Sequence, residues 1–367
     1  MPRFRRGRTV AIALLIALTA AACGGGDDAD ETAVTPTTTE APASSTSTTT
    51  AVPIGPRAPL TALPVGDREE VLDQAAIMVK ISNNDRASLD ALVGIEQADV
   101  VIEERIEDRA TRFAAIFHSR RPTLVGPVRS GRPADIDLMA NLGTPLLVFS
   151  GAFPTVLRDI VDFAGDGGAV LVVDDGTGVN LFRDDDYRRP DNLFADLAFV
   201  FEKFGDDAGA AVPIFEYLDV ESSQAPNPLP GDGFTVEGRD TVSFVWDPSR
   251  GYVRVQDGVE HVTREGIPLV TDNLVVMETV YTPSSYDPRN VDAHTTGSGP
   301  VAVMSGGQRW EGTWQRESPT DPYTFVDADG EPILLTPGRT WLTLVPAGSY
   351  EFTASDEIAA LVLEPEG

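Results

Sequence analysis

Ala76-Ile77-Met78-Val79-Lys80-Ile81 opens a series of short apolar runs that decides the fold. It is followed by Asp99-Val100-Val101-Ile102-Glu103, Phe113-Ala114-Ala115-Ile116-Phe117, Pro145-Leu146-Leu147-Val148-Phe149 and Ala169-Val170-Leu171-Val172-Val173. Each is too short for a helix and rich in β-branched or aliphatic residues, which predicts buried strands. Helix-like segments fall between and after them. Pro133 to Asn141 and Pro154 to Phe163 both begin on proline, the second with Gly165 as a stop. Asp191 to Phe204 carries Leu193, Phe194, Leu197, Phe201 and Phe204 at helical spacing and closes on Gly205. Strands alternating with helices predict an α/β sandwich.

Further along, the pattern changes. Val242/Phe244/Trp246, Val253/Val255 and Trp310/Gly312/Trp314 alternate with period two, and turn pairs such as Asp247-Pro248 and Asp257-Gly258 bound them. Val301 to Met304 and Thr340 to Val345 add strands, and Asp329-Gly330 between Phe325 and Ile333 marks a hairpin. This half reads as mostly antiparallel β. Val220 to Gly231, with Pro226, Pro228 and Pro230, reads as the linker. The expected class is therefore α+β: an α/β domain over 59–220 and a β-rich domain over 231–367, a length that suits two domains.

The first 58 residues read differently. Arg3, Arg5, Arg6 and Arg8 precede an uncharged run from Thr9 to Ala22, and Thr19-Ala20-Ala21-Ala22 leads directly to Cys23, the single cysteine. A basic start, a short apolar run and small residues make an export signal over 1–22, too short to span a bilayer. Cysteine at the cleavage point predicts a lipoprotein, held by a lipid on Cys23 at the extracytoplasmic face of the cell membrane. An ordinary secretory signal is the alternative. Arg5-Arg6 leaves twin-arginine export open beside the general route. Gly24 to Ala58 is acidic, then Thr/Ser/Ala/Pro-rich, and its lack of apolar periodicity predicts a disordered tether over 23–58. About 35 such residues reach roughly 30 Å as a coil.

Composition narrows the function. A net charge of -29 disfavours nucleic acid and anionic membrane surfaces as partners. One cysteine and three histidines leave little for disulfides, thiolate zinc or multi-histidine metal centres, so no metal and no cofactor are expected. Basic residues are nearly all arginine; Lys80 and Lys203 are the lysines.

The densest candidate lies between Glu103 and Arg132. It holds Glu103, Glu104, Arg105, Glu107, Asp108, Arg109 and Arg112, then Gly126-Pro127-Val128-Arg129-Ser130-Gly131-Arg132-Pro133. Arg129 and Arg132 on a strand-end loop beside a helix start would suit a carboxylate or phosphate. Glu107, Arg112, Arg129, Ser130 and Arg132, with Asn83 ending the first strand, form the candidate ligand-binding set. The competing reading is that these arginines pair with Glu103, Glu107 or Asp135 to order the loop. Glu103 or Glu107 with Asp135 or Asp137 would suit glycan hydrolysis, whose carboxylate separation a sequence does not supply. Asp184-Asp185-Asp186 and Asp327-Ala328-Asp329-Gly330-Glu331 suggest calcium loops but read better as turns. Ser119, Ser130 and Ser150 lack a nucleophile-elbow setting, and His118 and His294 read as structural or surface residues. Trp246, Trp310, Trp314 and Trp341 suit core packing better than a sugar platform.

These blocks resemble the YerB-like lipoproteins, a bacterial family with no established molecular function. The resemblance runs through Pro59-Leu60-Thr61-Ala62-Leu63-Pro64, Met78-Val79-Lys80-Ile81-Ser82-Asn83, Gln97 to Glu104, Thr111 to Phe117 and, most specifically, Gly126 to Pro133. In the second half it covers Gly297-Ser298-Gly299, Trp310-Glu311-Gly312-Thr313-Trp314 and Leu335 to Trp341. Three places depart from the family pattern. Asn83-Asn84-Asp85-Arg86-Ala87-Ser88 stands where Ala-Arg-Pro usually follows the asparagine, and Asp108-Arg109 replaces a Gly-Gly pair. Pro190-Asp191-Asn192 replaces Pro-His-Asn, so any activity resting on that histidine would be missing. The resemblance implies a two-part lipoprotein and supplies no reaction. The expected function is a non-enzymatic binding or accessory role in the cell envelope, with a wall component or envelope protein as partner. The alternative is a carboxylate-dependent hydrolase of wall glycan using Glu103 or Glu107.

Overall fold

Strand β1, Ile77–Asn83, is buried along its whole length, as a run without alternating polarity should be. A computed structural model describes residues 55–174, 176–284 and 290–354; Cys23, the signal segment and the tether up to residue 54 lie outside the described residues. The other four predicted strands of the first half are β2 (Val100–Arg105), β3 (Thr111–Phe117), β4 (Leu146–Phe149) and β5 (Val170–Val173). Then come β6 (Leu181–Arg183), β7 (Leu193–Ala195), β8 (Leu229–Pro230), β9 (Gly233–Glu237), β10 (Thr241–Asp247), β11 (Gly251–Gln256), β12 (Val259–Glu260) and β13 (Val270–Thr271). The remainder are β14 (Asn273–Glu278), β15 (Tyr281–Pro283), β16 (Val291–Ala293), β17 (Gly297–Ser305), β18 (Gln308–Arg316), β19 (Thr324–Val326), β20 (Thr340–Val345) and β21 (Tyr350–Phe352). The α-helices are α1 (Arg86–Asp90), α2 (Asp135–Ala140), α3 (Pro154–Gly165) and α4 (Leu197–Phe204).

The main sheet runs β19-β18-β17-β14-β20-β2-β3-β1-β4-β5, with β8 beside β18. β3 is antiparallel to β1 and β2, whereas β4 and β5 are parallel to β1, so the first half is a mixed sheet. β20, from the far end of the chain, lies between β14 and β2 and is parallel to both. Strands from both halves thus share one sheet. A second sheet, β12-β11-β10-β9-β21 with β13 beside β11, is antiparallel throughout. The class is α+β with a mostly β second half.

Two apolar layers sandwich the main sheet. On one face Met78, Ile102, Ala114 and Ile116 pack with Leu138 and Met139 of α2 and Val156 and Ile160 of α3. On the other, Val79, Val101, Phe113 and Ala115 pack with Leu197 and Val200 of α4 and with Phe234, Phe244 and Tyr252 of the second sheet. Trp341 joins the two sheets: its ring lies edge-on to Phe113 at 5.3 Å and to Phe244 at 5.4 Å. Trp310 and Trp314 are buried in the first layer, with indole N–H groups donating to Ala225 O and Glu278 O. Three of the four tryptophans are thus core residues, and the fourth, Trp246, packs on Tyr252.

Boundaries differ from expectation in three places. The helix predicted from Asp191 begins at Leu197, because Asp196 caps it by accepting from Phe199 N and because β7 is engaged with β6. The segment from Pro133 becomes helical at Asp135, and Gly165 lies inside the last turn of α3. The linker contributes β8, which pairs Leu229 with Arg309. The Asp329-Gly330 turn forms as predicted, with Asp327 N donating to Glu331 O and Gly330 at φ 87°.

Because β20 is an interior strand, a fragment ending at residue 230 should lose the neighbour of β2 and show no cooperative thermal transition by circular dichroism. Trp341→Ala should cost about 3–5 kcal/mol in denaturant titrations.

Candidate functional site

The ends of β1, β2 and β3 carry charged residues where hydrophobic ones would normally continue. Alternation sends Glu104 and Glu103 to opposite faces of β2, and each meets its own buried partner. On the helical face Lys80 Nζ donates to Glu104 Oε1 and to Asp135 Oδ1, each at 2.6 Å, with all three side chains buried. Burial pushes the Glu104 carboxyl above its ordinary range; Lys80 opposes this and Asp135 adds to it.

Arg112 of β3 lies on this same face, in register with Glu104 on one side and Ser82 on the other. It is 1% exposed and has no carboxylate partner among the described residues: Nη1 donates to Ser130 O and Nη2 to Asn84 Oδ1, both at 3.1 Å, while Nε has no acceptor among them. Burial, and then the nearby charges of Arg132 and Arg129, push its guanidinium down to about 9. Arg316 is a useful contrast. It is equally buried without a carboxylate partner among the described residues, but it donates to several carbonyls and to the Tyr323 hydroxyl.

The loop Gly126–Arg132 is stitched across the strand ends. Ser82 N donates to Pro127 O, Arg129 N to Lys80 O and Ser150 N to Arg129 O. Gly126 is required by close approach, since a Cβ there would lie 2.8 Å from Leu193 O. The loop arginines are ion-paired: Arg129 Nη1 lies 2.6 Å from Asp191 Oδ1, and Arg132 Nη2 lies 2.6 Å from Glu107 Oε1. Helix α2 has six residues, and Asp135 in its first turn accepts from Arg132 N at 2.7 Å. The chain's own carboxylate therefore occupies the helix start where an external anion was expected.

Glu107, Arg112, Arg129, Ser130 and Arg132 are thus gathered together, Ser130 through its carbonyl. Asn83 is not among them. It points to the other face, where Nδ2 donates to Thr111 Oγ1 and Thr111 Oγ1 to Glu103 Oε1, and Asn84 is the residue that meets Arg112. Glu103 there receives Arg254 Nη2 at 2.8 Å and Trp341 Nε1 at 3.1 Å. Arg254 also donates to Gln256 and to His261 Nδ1, whose ring is held neutral by burial and by that guanidinium.

The remaining candidates take structural places. His118 N donates to Asp99 Oδ2, and its ring meets Gln74 O. Asp184 accepts from Asp186 N, and Asp327 from Asp329 N and Glu331 N, as in polar turns. Among the described residues no group of three or more His, Cys, Asp or Glu is placed to hold a metal ion, and no helix is long and apolar enough to cross a membrane.

The comparisons agree with this architecture. Residues 60–210 match the N-terminal domain, and residues 234–342 the C-terminal domain, of a family described as a protein of unknown function (DUF3048). The chain belongs to this two-part family. One relative is the Bacillus subtilis (strain 168) protein named "Putative lipoprotein YerB", 27% identical over 287 residues covering 76% of this chain and 83% of that protein. The crystal structure of YerB from Bacillus subtilis matches with a TM-score of 0.68 at 23% identity, covering 81% of this chain and 99% of that one, and so shares the fold.

Two departures from the family pattern now have physical content. Asp108 and Arg109, standing where Gly-Gly was expected, adopt φ of 55° and 60°, the left-handed region that favours glycine. Asp191, standing where histidine was expected, supplies the carboxylate of Arg129. Sequence reasoning missed the roles of Lys80, Glu104, Asn84 and Arg254. A usable signal existed for Lys80 and Arg254, since charges inside apolar strands are buried only when paired.

Lys80→Met should destabilise by about 3–5 kcal/mol, because it strands two buried carboxylates; a urea titration reads this. His261, whose folded pKa lies below its unfolded value, favours the folded state above pH about 6.5, and that advantage is lost as the unfolded chain takes up a proton below it. His261→Asn should therefore flatten the fall in melting temperature from about pH 7 to pH 5.

Proposed function

We propose that this chain is a lipid-anchored binding or accessory protein of the bacterial cell envelope. Cys23 holds it at the extracytoplasmic face, and it recognises an anionic group of a wall component or envelope protein at Arg112, Arg129 and Arg132. One observation carries the reading: Arg112 is a buried guanidinium with an unused donor and no carboxylate hydrogen-bonded to it among the described residues, beside two further guanidiniums. A buried charge lacking a counter-ion favours an arriving anion. The leader, the tether and a relative named as a lipoprotein support the anchor. Glu107 and Asp191, which now neutralise Arg132 and Arg129, would be displaced or shared when the ligand docks.

Calorimetric titration with stem peptides, wall glycan fragments and phosphate should find a binder whose affinity falls about tenfold or more in Arg129→Ala/Arg132→Ala, as expected for charged hydrogen bonds. Unchanged binding by that variant, with its melting transition intact, would refute the site. In cells, Cys23→Ser should move the protein out of the membrane fraction; if it stays there, the lipid anchor is wrong.

A further inference from the structure

A cleft opens on the opposite face of the same strand ends from the arginine loop, lined by β9 and β10 on one side and by β2 and β20 on the other. It encloses about 260 Å³, just below the usual range of small-molecule pockets, about 300–1,000 Å³. Val236, Val242, Val345 and Pro346 give it apolar walls. Three polar groups in its lining have no side-chain partner among the described residues. Thr343 is 3% exposed, and its Oγ1 has no hydrogen-bond partner. Arg105 has a buried, unpartnered Nε and no carboxylate partner among the described residues. Arg109 donates from Nη2 to the carbonyl of Glu237 at 3.1 Å and likewise has no carboxylate partner.

Half-buried Arg105 and exposed Arg109, neither with a carboxylate partner among the described residues, line the cleft together with a buried hydroxyl that has no hydrogen-bond partner, a set of donors that suits an anionic oxygen. The acids that line the cleft are already engaged: Glu103 with Arg254, Asp240 with Gln256 and Glu237 with Thr241. Burial, and then the charge of Asp257, hold Asp240 above its ordinary pKa. The left-handed Asp108–Arg109 turn fixes the rim, because Arg109 O accepts from Arg239 N at 2.9 Å and ties the β2–β3 connection to the β9–β10 turn.

We infer that this cleft binds a small molecule with a short apolar body and one carboxylate. The guanidiniums of Arg105 and Arg109 and the hydroxyl of Thr343 take the carboxylate, while the valine-lined walls take the body. A free acid, an amino acid and the C-terminus of a short peptide share this chemistry. The site is separate from the arginine loop, since alternation along β2 and β3 places the two on opposite faces of the sheet.

The test is calorimetric titration of the full chain in detergent with 4-methylpentanoate, its uncharged amide, leucine and the dipeptide Gly-Leu. At least one carboxylate should bind, and the amide about tenfold or more weakly than its acid. The strongest carboxylate identifies the source. Arg105→Gln, at a half-buried site that should tolerate it, should weaken binding about tenfold, and the near-isosteric Thr343→Val several-fold, each with the melting transition retained. Arg129→Ala/Arg132→Ala should leave this binding unchanged, so failure here and failure at the arginine loop are separable. Equal affinity for acid and amide, no binding by any carboxylate, or full binding by Arg105→Gln would overturn the proposal.

Discussion

The buried Lys80 ammonium, held between Glu104 and Asp135, is the constraint on which the arrangement of the first half depends. Removing three charges from water is costly, and the cost is offset only when the partners meet at hydrogen-bonding distance. That requirement fixes the mutual position of β1, β2 and the start of α2 more tightly than apolar packing does. An aliphatic layer tolerates small shifts, whereas an ammonium shared by two carboxylates at 2.6 Å does not. The loop from Gly126 to Arg132 inherits its position from this centre, since Arg129 N donates to Lys80 O and Arg132 N to Asp135 Oδ2.

Glu103 plays the matching part on the other face. Its contacts with Arg254 and Trp341 bind the main sheet to the second sheet, and the Phe113–Trp341–Phe244 ring cluster completes the joint. One strand end thus carries two buried ion-pair systems, one facing the helices and one facing the second sheet. Each adjoins guanidiniums that have no carboxylate partner among the described residues, Arg112 on one face and Arg105 and Arg109 on the other. The binding function proposed for the arginine loop and the ligand inferred for the cleft both rest on those guanidiniums.

Legibility varied with how local the cause was. The five apolar runs of the first half declared themselves as strands because buried strands need continuous hydrophobicity, and that is a property of the run itself. The Asp191–Phe204 segment was misread because the helical spacing of Leu193 and Phe194 with Leu197 concealed the pairing of β7 with β6, a contact across the loop. The gathering of Arg112, Arg129 and Arg132 was readable from their strand-end positions. Their partners were not: Asn83 and Asn84 are neighbours in sequence, yet alternation sends one to each face, and the register of β1 against β3 decides which meets Arg112.

The sequence by itself determined the family, the α+β class, most strand positions and the two-part order, because these rest on local hydrophobic patterning and on motifs read in line. Only the tertiary structure decided that β20 enters the sheet between β14 and β2, that Asp191 rather than a ligand faces Arg129, and that Arg105, Arg109 and Thr343 share a cleft. Those facts depend on pairings between residues tens to hundreds of positions apart, and such pairings are set by the free energy of the whole fold rather than by any segment of it.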